Sequence, residues 1–313
     1  MAGQRLAAAA GASWRRLRHR VRWLDHLIRA GIRYDQADGG RLAAAVTYYA
    51  FFATFALGLL GVAVFGFVLD DPAVRGSVER YLAEDLPSVN VQALRDARGT
   101  VGIIAFVGLP ITGWFWVDAL RSSIRRMWRL PEYPGNFVSR VLVDLLVLAG
   151  LGLLLILSLA VAWATTVAAN RLVDAADTGI DLSRWLLRAV GLLVGVGFNT
   201  VLAGGALTGV SRVRMPWRRL LGPAVLVALG LELLKTLGGL YVRLTEANPA
   251  YQLVAGSVGL LVFLNAINQL LLFAAALTAT GTTGRPADLA AGDEDDAGAR
   301  SGQPEPGAAT HRP

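Results

Sequence analysis

The chain has no cysteine among its 313 residues. That excludes a disulfide framework, a thiolate nucleophile and a zinc–thiolate site. Histidine is scarce: His19 and His26 lie in a basic N-terminal arm and His311 in a polar tail. There is no His-Glu-x-x-His, and no Ser/His/Asp set can be assembled from the apolar stretches. Charge is thin as well. Charged residues make up 17% of the chain and hydrophobic ones 54%, whereas an average soluble domain carries about 25% charge. "GLELLKT" has the Lys-Thr ending of a phosphate loop, but Leu234 stands where glycine is needed and no strand precedes it. These shortages leave no metal ligand set, no cofactor motif and no catalytic constellation. Metal and cofactor are both expected to be absent, and the chain is not expected to be an enzyme.

What is abundant is uncharged apolar sequence. Leu42 to Leu69 runs 28 residues without a charge, and a bilayer helix needs about 20. Further runs are Gly99–Val117, Leu145–Ala169, Ala189–Ser211, Leu220–Val242 (interrupted by Glu232 and Lys235) and Ala247–Gly284. In hydrocarbon every backbone polar group must be paired within the segment or its partners, so these runs predict helices. An outer-membrane barrel would alternate polar and apolar residues at period two, and these runs do not. The expected fold is an all-α polytopic bundle of six transmembrane helices, at about 42–69, 99–120, 144–169, 188–211, 220–243 and 252–279. The domain plan is a basic arm over 1–41, the six-helix domain over 42–280 and a disordered tail over 281–313.

Arginine sets the expected orientation. The arm to Arg41 carries nine Arg, "RSSIRRMWRLPEYPGNFVSR" five and "SRVRMPWRRL" four. The intervening loops are poorer: "DDPAVRGSVERYLAEDLPSVNVQALRDAR" sets four Arg against six acids. The alternation places both termini in the cytoplasm. Trp114, Trp116, Trp128, Trp163, Trp185 and Trp217 fall near span ends, as an aromatic belt does.

The arm reads as an amphipathic helix over Trp14 to Ile32. Trp14, Leu17, Val21, Leu24 and Ile28 form its apolar stripe; Arg15, Arg16, Arg18, Arg20 and Arg22 occupy other faces. That pattern suits an anionic leaflet. The rival readings are a plain topology signal and a nucleic-acid arm, of which the last is disfavoured. A second short helix is expected on the outer face, where Asp71 and Pro72 suit a helix start and Val74, Val78, Tyr81, Leu82 and Leu86 make one stripe. The tail, with six acids, three Arg and much Gly, Ala and Pro, cannot bury a core.

Polar residues at membrane depth are the remaining candidates for function. Glu232 and Lys235 are three apart on the fifth span, so they share a face and could pair. Asn265, Asn268 and Gln269 follow an i, i+3, i+4 pattern on the sixth. Asn199 and Thr200 lie in the fourth. Asp118 and Asp144 lie near the cytoplasmic side of the second and third. The functional reading is a polar pathway for a lipid headgroup, ion or proton; the bland one is interhelical hydrogen bonding worth about 0.6 kcal/mol each. Gly191/Gly195 and Gly205/Gly209 have small-xxx-small spacing on the fourth span, a weak signal at this glycine frequency. Pro110 deprives the Phe106 carbonyl of its helical donor, so a kink is expected.

Several segments together resemble the YihY/virulence factor BrkB family of bacterial inner-membrane proteins, over roughly residues 30 to 280. "LAAAVTYYAFFATFALGLLG" resembles its first-helix motif through Tyr48 and Tyr49, with Ala56 where proline is usual. "DALRSSIRRMW" fits at Trp128. "SRVRMPWRRLLGPAVLVALGLELLKTLGGLYV" is the closest segment, with Pro216, Trp217, Arg218, Gly222, Glu232, Lys235 and Tyr241 in pattern. "YQLVAGSVGLLVFLNAINQLLLFAAAL" is similar to the last family segment but departs at Ala255, Asn265 and Ala275. The resemblance implies six helices with both ends inside. It supplies no activity; members have carried a ribonuclease BN label, and some are linked to export of lipid or envelope precursors.

Two functions follow as expectations. One is a transporter or flippase-like protein for a lipidic or envelope-related amphipathic substrate. The other is a non-transporting scaffold that binds partners or anionic lipid through its basic cytoplasmic face. A membrane nuclease is disfavoured because metal ligands and histidine are missing. Expected partners are membrane lipids, especially anionic inner-leaflet lipid, and a homo-oligomer; no nucleic acid is expected.

Overall fold

A computed structural model of the chain describes residues 22–68, 91–134, 136–175, 181–245 and 249–289. Among them are seven α-helices: α1 (Arg22–Gln36), α2 (Gly39–Val68), α3 (Val91–Trp128), α4 (Phe137–Ala175), α5 (Asp181–Gly205), α6 (Trp217–Thr245) and α7 (Pro249–Thr280). A π-helical turn, Ala206–Val210, extends α5. Two short strands, β1 (Val213–Arg214) and β2 (Ala287–Asp288), complete the described elements. The protein is an all-α membrane protein. Helices α2 to α7 each hold a segment long and apolar enough to cross a bilayer: Gly39–Gly61, Gly99–Trp128, Phe137–Leu157, Ala189–Val210, Trp217–Tyr241 and Val254–Thr280.

The surface of these helices is that of a protein made for hydrocarbon. Ile103, Phe106 and Val107 on α3 are exposed, as are Leu146, Leu153 and Ile156 on α4. In water such stripes would drive association; against lipid tails they cost nothing. Small residues fill much of the interior instead, among them Ala43, Ala105, Ala203, Ala228, Ala274, Ala275 and Ala276. Close helix approach needs small side chains. α3 runs through Pro110 without interruption, and α6 likewise through Pro223.

By packing the chain divides into two compact units. One comprises Met1–Gly39, Arg121–Glu232 and Leu270–Pro313; the other Gly40–Leu120 and Leu233–Gln269. In the first, Tyr34 of α1 meets Phe273 of α7 edge-on at 6.2 Å. Gly204 of α5 lies against Leu220 of α6. In the second, Tyr49 of α2 stacks on Phe115 of α3 at 5.8 Å, and Gly102 of α3 faces Ala63 of α2.

The amphipathic arm is described from Arg22, and its helix runs past Ile32 to Gln36. Arg15, Arg16, Arg18 and Arg20 lie outside the described residues, as does the expected outer-face helix. The tail departs from expectation at its start. β2 pairs antiparallel with β1, Val213 opposite Asp288 and Arg214 opposite Ala287. Leu289 N also donates to the Arg212 carbonyl at 3.0 Å, and a side-chain anchor accompanies the backbone pairing. Asp288 Oδ1 and Oδ2 accept from Nη1 and Nη2 of the fully buried Arg125 at 2.9 and 2.8 Å. A bidentate, charge-assisted pair of this kind holds polar backbone that composition alone would leave loose. Residues 290–313 lie outside the described residues.

Candidate functional site

Two of the residues singled out at membrane depth meet in the first unit. Asn199 of α5 is buried, and its Nδ2 donates to Oε1 of Glu232 on α6 at 2.7 Å. Gly195 lies one turn before Asn199, on the same face. A Cβ there would come within 3.1 Å of that Oε1, so the glycine leaves room for the carboxylate. The i, i+4 spacing therefore places a gap and a donor side by side on α5. Glu232 is half-buried. A carboxylate offers about four acceptor positions, and Asn199 takes one. The pair sets a carboxylate, held by an amide, inside two apolar helices.

The other polar residues are differently engaged. Thr200 Oγ1 donates to the Val196 carbonyl of its own helix at 2.7 Å. Lys235, the chain's single lysine, has an exposed side chain. In the second unit, Asn268 of α7 is buried and donates from Nδ2 to Thr47 Oγ1 of α2 at 3.1 Å, while Thr47 donates to the Ala43 carbonyl at 2.6 Å. Gln269 donates to Asn265 Oδ1, one turn away, at 2.5 Å. The α7 trio is thus not one constellation: Asn268 ties α7 to α2, and Asn265 and Gln269 bond to each other. Asp118 is half-buried. Tyr241, one of the residues carrying the family resemblance, donates to the Ala255 carbonyl at 2.9 Å.

A second constellation in the first unit is arginine-rich, and of its members only Asp144 stands out in the sequence as a polar residue at a span end. Asp144 of α4 is buried and takes an ion pair from Nη1 of Arg121 on α3, which is wholly buried. Arg212 Nη2 stands 3.7 Å from the other oxygen of Asp144. One turn along α3, Arg125 holds Asp288 and also donates to the carbonyls of Pro131 and Ser211. Arg219 at the start of α6 donates to the Thr278 and Ala279 carbonyls at the C-terminal end of α7, at 2.6 and 3.1 Å. Helix C-termini carry partial negative charge, so a guanidinium there is favourable. In the sequence Arg121, Arg125, Arg212 and Arg219 are indistinguishable from loop charges that fix topology. The overlooked signal is the i, i+4 pair Arg121/Arg125 set between Leu120, Ile124 and Met127, all buried. His26 Nε2 donates to the Leu277 carbonyl at 2.9 Å. Among the described residues no group of three His, Asp or Glu side chains could hold a metal ion.

Comparison with known proteins adds a family. The family model Virulence factor BrkB matches residues 31–298. An uncharacterized protein of Dickeya dadantii (strain 3937) is 28% identical over 87% of this chain and 90% of its own length. The inner membrane protein YhjD of Escherichia coli (strain K12) is 26% identical over 82% of this chain and 81% of its own. No solved structure matches.

Proposed function

The chain belongs to the Virulence factor BrkB family, and on that premise we propose that it moves a lipidic or envelope-related amphipathic molecule across the bilayer. The observation that carries this reading is the Asn199–Glu232 contact, a hydrogen-bonded and half-buried carboxylate within apolar helices. Carboxylates inside membrane segments are costly and tend to mark substrate, ion or proton routes. In this reading Glu232 exchanges a proton or engages the polar end of the substrate. Asn199 holds it in place, and no covalent chemistry is involved. The protein sits in the inner membrane with both termini on the cytoplasmic side, as its arginine distribution implies.

The test is lipid translocation by the purified protein in vesicles of phosphatidylethanolamine and phosphatidylglycerol carrying a trace of NBD-labelled phosphatidylglycerol. Dithionite quenches only label in the outer leaflet. Faster loss of the protected label than in protein-free vesicles, and than in vesicles with an unrelated helical membrane protein, supports transport. Equal rates refute it for this lipid class.

A second reading has its own observation. Asn268 with Thr47, Gln269 with Asn265, and Thr200 with Val196 all bond within the protein, as packing contacts do. A scaffold that binds anionic lipid or protein partners through its basic face needs no more than that. Equal translocation rates together with salt-sensitive binding to anionic vesicles would favour it.

A further inference from the structure

Away from the Asn199–Glu232 contact, the first unit carries a cleft of about 400 Å³. Arg29, Arg33 and Gln36 of α1 line it, with Trp128 and Arg129 at the end of α3 and Thr280 at the end of α7. Three guanidiniums line the cleft, and among the described residues no carboxylate does.

The bland account is that these arginines neutralise the two helix C-termini that meet here. It covers part of the charge. Arg33 Nε donates to the Met127 carbonyl in the last turn of α3 at 2.6 Å. The end of α7 is already met by Arg219 and His26, neither of which lines the cleft. Each helix end contributes roughly −0.5 charge. Asp25 supplies one more negative charge, 3.1 Å from Arg29 Nε. α1 also ends in this cleft, at Gln36, so three positive charges stand against roughly two and a half negative ones, and the cleft is cationic on balance.

Two further observations suggest a missing acceptor. Burial, and then repulsion from Arg129, lower the pKa of Arg33; like charges held close together are relieved by an anion between them. Second, Arg129 has a φ of 57°. It occupies the left-handed position that closes α3, with Arg129 N donating to the Arg126 carbonyl and Leu130 N to the Arg125 carbonyl, both at 3.1 Å. Glycine is the usual residue in that motif. An arginine is thus kept at a position that disfavours any side chain, at a cleft that two other arginines line.

We propose that this cleft binds the phosphate group of an anionic ligand. Guanidinium forks match phosphate oxygens in pairs, Gln36, whose Oε1 accepts from Arg129 Nη2 at 3.4 Å, offers its Nε2 as a further donor, and the volume leaves room for the remainder of a small headgroup. The phosphate belongs either to a lipid headgroup or to a free anion. The site is distinct from Glu232, and the proposal stands whether or not the protein moves lipid.

The test uses the full-length protein in dodecylmaltoside. Calorimetry would measure binding of dioctanoyl phosphatidylglycerol, inorganic phosphate and, as a phosphate-free control, dioctanoylglycerol. Arg129→Gly relieves the left-handed backbone, so it should leave the thermal unfolding midpoint unchanged or raise it while weakening phosphate binding by about tenfold. Arg29→Gln, at a half-exposed side chain, is the second variant should the first fail to fold. Binding of phosphatidylglycerol but not of the free ion, lost in the variants, supports a lipid headgroup. Binding of the free ion, lost in the same way, supports a soluble phosphate. The proposal is overturned if neither phosphate probe binds better than dioctanoylglycerol, or if binding survives in the variants that fold.

Discussion

Asn199 and Glu232 join α5 to α6 through one hydrogen bond, amide Nδ2 to carboxylate Oε1, at 2.7 Å. Both ends of that bond lie in segments suited to hydrocarbon, where an unmet donor or acceptor is costly.

Removing the donor should therefore cost more than neutralising the acceptor. Asn199→Leu leaves the carboxylate without its amide and should destabilise the protein by about 1–3 kcal/mol. Glu232→Gln keeps an oxygen that can accept from Asn199 and should cost less. Thermal unfolding in detergent orders the two, and an unchanged midpoint in Asn199→Leu would contradict the role given to the bond.

Gly195 supplies the space for that carboxylate. A Cβ would sit 3.1 Å from Oε1, the mobile end of a side chain, so Gly195→Ala should be tolerated with a shift of a few tenths of an ångström. Gly195→Leu would drive Glu232 off Asn199 and should reproduce the Asn199→Leu loss. A double variant Gly195→Leu/Asn199→Leu should then add little beyond either single change, because both break the same contact.

Arg121 and Asp144 form a buried ion pair between α3 and α4, with Arg212 close by. Taking away one member strands a buried charge, at a cost of about 3–5 kcal/mol. Asp144→Leu or Arg121→Met alone should thus lower folded yield sharply. The double change should be milder than either, as replacing a whole buried pair by apolar groups often is. Fluorescence-detected size exclusion after membrane extraction reads the difference; two additive losses would refute the coupling.

The strand pairing of the tail rests on Arg125 and Asp288. Asp288→Ala should expose the cost of an uncompensated Arg125, again about 3–5 kcal/mol. Truncation after Leu289 keeps the ion pair and should be close to neutral. Thermal midpoints of the two proteins decide between them.

What was legible in the sequence and what was not follow from the same physics. Run length and the need to pair every backbone group dictate helices, so the six apolar segments could be read directly from stretches such as Leu42–Leu69. The polar residues were visible because charge and amides are rare at depth. Their partners were not. Spacing on one helix reveals Glu232 beside Lys235, whereas Asn199, 33 residues away, becomes a neighbour only once α5 packs on α6. Arg125 and Asp288 are 163 residues apart. Nothing local distinguishes a buried arginine from one of the loop charges that fix orientation, or marks one aspartate in a polar tail as its anchor.

The most direct test of the transport reading compares the wild type with Glu232→Gln, at equal incorporation into vesicles, in the dithionite assay of labelled phosphatidylglycerol. A carboxylate that carries the polar step, rather than packing alone, should be irreplaceable by an amide of the same shape. The account predicts a translocation rate lower by about tenfold or more, with the unfolding midpoint close to that of the wild type. A Glu232→Gln protein that moves the lipid at the wild-type rate would contradict it.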